Sequence, residues 1–145
     1  MKVELRYSDN PIATWDTFVR ESGDQVKAYY RGTLPRAGEE VWDVLVDGCL
    51  AGWGSLIASA IDEHPTLCVG ILPAYAGHGI RQLVKMRLVG EARKYNAKGV
   101  KTAVLLNNTK HLQRVIKESI DGSPFKFAGI ITLPEPGYAQ FVWTF

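Results

Sequence analysis

The sequence predicts an α+β (mixed α/β) domain, a mixed central sheet with helices packed on it. Three observations carry that expectation. An Asp47-Gly48 pair between two apolar runs marks an antiparallel hairpin, because both central positions of its turn need positive φ. Residues 66–72 are apolar or small at nearly every position, as a central strand covered on both faces must be. A glycine-containing loop and a long amphipathic stretch then lead to another apolar run at 100–106, which makes one β-α-β crossover.

Composition agrees. A chain of 145 residues with 46% hydrophobic and 22% charged residues fits a single domain over 1–145 and excludes a disordered tail or a collagen-like repeat. The net charge of +2 argues against a nucleic-acid partner, which would demand a concentrated basic face. No apolar stretch approaches the ~20 residues of a membrane span. The charged, alternating start MKVELRYSDN is unlike a signal peptide. Cys49 and Cys68 sit in apolar runs without CxxC spacing, so both are expected to be buried, reduced thiols in a cytoplasmic protein, and no metal is expected.

Taken in order, residues 2–7 alternate and predict a strand. Ser8, Asp9 or Asn10 can cap a helix in which Pro11 suits the first turn and Ile12, Trp15, Phe18 and Val19 recur at helical spacing. A second helical piece is expected at 24–30 and a loop at 32–40. Strands at 41–46 and 49–59 flank the Asp47-Gly48 turn, and the next strand at 66–72 ends at Pro73. A helix over 80–96 places Ile80, Leu83, Val84, Leu88, Ala92 and Tyr95 on one stripe, with Arg81, Lys85, Arg93 and Lys94 elsewhere, and Gly99 as its stop. After the strand at 100–106, Asn107, Asn108 or Thr109 can cap a helix with Leu112, Val115, Ile116 and Ser119 on one face. A turn at 121–124 and two strands, 127–133 and 138–145, close the chain. The four tryptophans, Trp15, Trp42, Trp53 and Trp143, are expected in the core or at an interface.

The informative stretch is Val69-Gly70-Ile71-Leu72-Pro73-Ala74-Tyr75-Ala76-Gly77-His78-Gly79-Ile80. It runs from a buried strand through glycines into a helix start. First-turn amides lack internal partners and carry part of the positive end of the helix dipole, and glycines let an anion approach them, so the stretch suits a pyrophosphate. The glycine spacing does not match a dinucleotide-binding fingerprint, and no Gly-Lys-Ser/Thr of a P-loop occurs.

With Ile71, Pro73, Tyr75, Gly77, Gly79 and Ile80 in their places, the chain resembles the Gcn5-related N-acetyltransferase (GNAT) superfamily, whose signature reads apolar-x-Pro-x-Tyr-Arg-Gly-x-Gly-Ile-Gly. Asn108 stands where the family often opens its fourth helix with asparagine. The resemblance implies a mostly antiparallel mixed sheet with splayed fourth and fifth strands and helices on both faces. It also implies acetyl-CoA as cofactor: its pantetheine arm would pair with main chain near Ile71 and Leu72, and its pyrophosphate would lie on the amides of Gly77, His78, Gly79, Ile80 and Arg81, with Asn108 nearby. An amine would attack the thioester directly, with a base removing its proton and an acid protonating the departing thiolate.

Several positions depart from the pattern. Ala76 replaces the arginine before the first loop glycine, and Arg81 replaces a small residue at the phosphate seat. Val115 stands where the family has its thiolate-protonating tyrosine, and Ser119-Ile120-Asp121-Gly122 replaces the usual Gly-Phe. His111 and Glu63 are the candidates left for acid and base, each with an ordinary alternative as a surface helix residue and a solvated turn charge. His78 would contact phosphate or stand exposed in the loop. Arg81, Lys85 and Arg87 would reach cofactor phosphates or make a charged helix face. The run Asn108-Thr109-Lys110-His111-Leu112-Gln113-Arg114 is similar to the small GNAT-like internal virion proteins of short-tailed bacteriophages. That implies a virion or assembly component with weakened or lost transfer, found in the host cytoplasm and in the particle, with other virion or assembly proteins as partners. The alternative is an active N-acetyltransferase acting on a primary amine. A homo-oligomer fits either.

Overall fold

The computed structural model describes residues 1–22, 39–58, 63–105, 109–120, 126–132 and 138–145. Its elements are β1 (Val3–Tyr7), α1 (Pro11–Ser22), β2 (Glu39–Val46), β3 (Cys49–Ile57), β4 (Thr66–Ile71), α2 (Ile80–Lys94), β5 (Gly99–Leu105), α3 (Thr109–Ile120), β6 (Lys126–Thr132) and β7 (Tyr138–Thr144), with a 3-10 turn at Pro73–Tyr75. The hydrogen-bonded strand order is β1-β2-β3-β4-β5-β7-β6. β4 and β5 are the parallel pair, while β1/β2, β2/β3, β5/β7 and β6/β7 are antiparallel. The predicted mixed, mostly antiparallel sheet is therefore present. The chain divides into two compact units, Met1–Ile57 with Leu67–Gly90 and Ala58–Thr66 with Glu91–Phe145.

In the first unit, Asp47 (φ 49°) and Gly48 (φ 84°) form the expected turn between β2 and β3. The register sets Arg6 opposite Asp43 and Asp43 opposite Trp53, so these three share a sheet face. That face receives α1. Asn10 caps α1, its Oδ1 accepting the Ala13 amide at 3.1 Å, and Pro11 opens the helix without wasting an amide. Thr14 then donates to Asp43 Oδ1 (2.5 Å) and meets Ser8 Oγ at 3.0 Å, while Arg6 Nη2 reaches Asp43 Oδ2 at 3.1 Å. The Asp43 carboxylate is buried but hydrogen-bonded, which removes most of the cost of taking it from water. Beyond this polar knot, Trp15 and Phe18 pack on Trp53, with ring centroids 5.2 and 6.1 Å away and edge-on geometry.

Trp53 and Gly54 point to opposite faces. A Cβ at Gly54 would lie 2.9 Å from Leu88 Cδ1, so α2 covers the face opposite α1. Helices therefore pack on both faces of the first unit's sheet, as expected. On α2, Ile80, Val84, Leu88, Val89 and Ala92 are buried. Leu83 and Tyr95 are exposed, and Lys85 is buried, so the stripe sits one residue round from the predicted one.

In the second unit, β5 pairs with β7 over seven residues, and β7 pairs in turn with β6 through an irregularity between Phe127 and Gly129. The start of β4 joins this unit, with Thr66 registered against Lys101 and the Lys101 amide donating to Pro65 O (3.0 Å). Phe127, Phe141 and Trp143 make an aromatic row with centroids 6.1–6.3 Å apart. All four tryptophans are buried.

Three expectations are corrected. Cys49 is exposed, because it directly follows the tip of the hairpin, and Cys68 is only partly buried. Of residues 96–99, which the sequence offers as the end of α2, the stop is Asn96 and not Gly99. Asn96 takes φ 59°, and the Ala97 amide closes back on Ala92 O at 3.3 Å. Gly99 serves β5 instead, since a Cβ there would overlap the Trp143 carbonyl oxygen and press on His64. Ile12 is exposed although Trp15 and Phe18 on the same helix are buried. The helical piece read at 24–30, residues 32–38 of the loop read at 32–40, the turn at 121–124 and Asn108 lie outside the described residues.

Candidate functional site

The site grows out of the aromatic core of the first unit. Trp15, Phe18, Val41, Trp53 and Leu72 form one buried cluster, and Tyr75 and Cys68 pack against it. Gly70 lies directly beneath: a Cβ there would collide with Phe18 Cζ and come within 2.7 Å of Trp53 Nε1. The end of β4 is thus clamped under the rings. Leu72 stays extended (φ −61°, ψ 144°), and its amide donates to Ala51 O on β3 at 2.7 Å.

Pro73 cannot continue the ladder, and the chain tightens into the 3-10 turn. The Tyr75 amide reaches Leu72 O (2.9 Å) and the Ala76 amide reaches Pro73 O (3.2 Å). Leu72 and Tyr75 therefore anchor both sides of this turn in the core. Gly77 (φ 84°) and Gly79 (φ 73°) then swing the chain into α2, whose first helical bond runs from the Leu83 amide to Gly79 O (3.3 Å). A Cβ at either glycine would meet nothing within 4 Å. The first-turn amides that follow the bend are left without intrahelical partners by helix geometry.

Each predicted cofactor-binding residue in this stretch has a definite place. Ile71 is partly buried on β4, Leu72 and Ile80 are core, and Gly77, His78 and Gly79 are exposed in the bend. Arg81 does not project into solvent. It is half-buried, and its Nη1 donates to Val69 O at 2.7 Å. The other cations proposed for phosphate are engaged elsewhere: Arg87 Nη1 donates to Val3 O (2.7 Å), and Lys85 is buried.

The remaining candidates lie in the second unit. Glu63 sits on an exposed bend, ion-paired to Lys98 Nζ at 3.0 Å, and its carbonyl accepts the Lys98 amide at 2.9 Å. His111 falls in the first turn of α3. Val115, also on α3, is 3% exposed. Among the described residues, no group of three His, Cys, Asp or Glu side chains could hold a metal ion. No described helix is long and apolar enough to cross a membrane.

No family model and no curated protein matches this sequence. Solved structures do match it, over nearly its full length. A protein from Desulfovibrio desulfuricans assigned as an acetyltransferase of the GNAT family shares 15% identity at TM-score 0.68, covering 99% of this chain and 98% of its own. The chain has the GNAT fold. The spermidine/spermine N-acetyltransferase SpeG from Vibrio cholerae is similar at 14% identity and TM-score 0.66, covering 99% and 92% of the two chains. A protein from Bacillus anthracis assigned as a streptothricin acetyltransferase, solved with acetyl coenzyme A, is similar at 12% and 0.66, covering 100% and 99%.

Sequence reasoning missed Val69 as part of the site. Its side chain carries no chemistry; what matters is its carbonyl, and no residue-level signal marks a main-chain acceptor twelve positions from its donor.

Proposed function

We propose that this chain is a GNAT-fold domain whose residues 71–81 form an acyl-CoA seat, with acetyl transfer weakened or lost. In this reading it serves as an internal virion or assembly component of a short-tailed bacteriophage, made in the host cytoplasm and carried into the particle. The positive-φ bend at Gly77 and Gly79 fits a pyrophosphate, since two residues without side chains lead into the first turn of α2 and the space a Cβ would take at either is empty. The main chain at Ile71 would hold the pantetheine arm, since Leu72 already spends its amide on Ala51 O and its carbonyl on the Tyr75 amide. When bound, acetyl-CoA supplies an activated acyl group.

The observation that carries the loss of transfer is Val115. Where the resemblance expects a proton donor for the thiolate, the chain has an apolar side chain sealed in the core. Valine can neither give nor take a proton, and general acid–base catalysis is worth roughly 10²–10⁴-fold. Similarity of residues 108–114 to GNAT-like internal virion proteins supports the virion role, with other virion or assembly proteins as partners.

The test is thiol release from acetyl-CoA in the presence and absence of a primary amine such as spermidine. Amine-independent, background-level release is expected; amine-dependent turnover overturns the proposal. Mass spectrometry of purified particles tests the virion role, and absence of the chain from them sinks it. The second reading, an active N-acetyltransferase for a small-molecule or protein amine, draws on the complete Pro73-x-Tyr75-x-Gly77-x-Gly79-Ile80 bend and on the transferases that share the fold. Turnover with spermidine would establish it.

A further inference from the structure

Within the first unit, a run of polar side chains links β1 to β2 through α1. The Thr14 hydroxyl has one proton and two acceptors in reach, Asp43 Oδ1 at 2.5 Å and Asn10 O of its own helix at 3.3 Å. The nearer carboxylate takes it. Ser8 Oγ, 3.0 Å away, then donates to Thr14 Oγ1, and Arg6 Nη2 holds the second carboxylate oxygen at 3.1 Å. Ser8, Thr14 and Asp43 are all buried. A chain of this kind adds little stability over apolar packing of the same volume. What it fixes is register, because the groups satisfy one another in a single arrangement.

Register matters on α1. About one turn beyond Thr14, the Phe18 ring lies against the α-carbon of Gly70, where a Cβ would collide with Phe18 Cζ. Phe18 and Leu72 belong to the same buried cluster, and Tyr75 packs against it. A small shift of α1 would drive the ring into main chain that has no side chain to yield, or open a void over Gly70 and loosen Leu72. Leu72 and Tyr75 lead directly to the bend at Gly77 and Gly79.

We infer that Thr14 is a positioning residue for the anion-binding bend. Its hydroxyl, held between Ser8 and Asp43, sets where Phe18 bears on β4. Through Leu72 and Tyr75 it sets where the first turn of α2 begins. A diphosphate bound by several main-chain amides needs them to converge on it, so a small displacement of the bend shows in affinity.

The inference rests on the acyl-CoA seat proposed above. ADP carries the diphosphate of that cofactor, and its affinity is measured by calorimetry well below the melting temperature of each protein. Thr14→Val keeps the shape of the side chain and removes the hydroxyl, whereas Thr14→Ser keeps the hydroxyl. The valine variant should bind ADP about tenfold more weakly than the wild type, and the serine variant within about threefold of it. Phe18→Leu leaves the polar chain intact and withdraws the ring from Gly70. It should show a similar loss, and it keeps the test decisive should the valine variant not fold. A residue that merely stabilises the fold would lower the melting temperature of the valine variant and leave its ADP affinity at the wild-type value. Wild-type affinity in Phe18→Leu, or in a folded Thr14→Val, therefore overturns the inference while the seat stands. No ADP binding by the wild type overturns the seat and the inference together.

Discussion

Two pairs of glycines teach different lessons. Gly52 and Gly70 face each other across β3 and β4 and have no room for a Cβ: Gly52 is blocked by the Gly70 carbonyl, and Gly70 by Phe18 and Trp53. Gly77 and Gly79 have open space around them, and what they need is a backbone angle, φ 84° and 73°. The first pair is selected by packing, the second by conformation. The first pair seats the aromatic cluster that anchors Leu72 and Tyr75. The second turns the chain from the 3-10 turn into the first turn of α2.

This contrast can be broken in graded steps. Gly52→Ala should be the most damaging, because the obstruction is main chain that no rotamer change relieves. The expected loss is about 3 kcal/mol or more, read by urea denaturation. Gly70→Ala meets rings that shift at a price, so about 2 kcal/mol is expected, together with altered tryptophan fluorescence as Trp53 moves. If both variants are as stable as the wild type, the clamp beneath the rings does not exist.

The loop pair should behave otherwise. Gly79→Ala has space but the wrong φ, so it should cost about 1 kcal/mol in stability, whereas Gly79→Trp should abolish ADP binding by filling the bend. Retained ADP affinity in the tryptophan variant would show that the bend holds no anion. The smallest effect sharpens the contrast from a third position. Gly90 lies exposed within α2, and a Cβ there meets nothing within 4 Å. Gly90→Ala should raise stability by about 0.5–1 kcal/mol in the same denaturation series.

Much of this architecture was legible in residue order, because the signals are local. Asp47-Gly48 announced its turn, Asn10-Pro11 the start of α1, and Pro73 with Gly77 and Gly79 the bend into α2. Each depends on the φ range or hydrogen-bonding capacity of a residue and its neighbours. The resemblance read from 71–80 likewise led to the GNAT fold that the solved structures share.

What residue order could not show depends on partners distant along the chain. Periodicity placed Lys85 on an outer face of α2, yet it is buried, because the sheet beneath sets which side of a helix is covered. Gly99 looked like a helix stop until Trp143, forty-four positions later, supplied the carbonyl that excludes a Cβ. Arg81 read equally well as a phosphate ligand or as part of a charged helix face, since its charge is the same in both. The fold settled where the guanidinium rests by bringing the Val69 carbonyl within its reach. A sequence determines the conformations each segment can adopt at low cost; only the assembled sheet determines which surfaces and main-chain groups those segments meet.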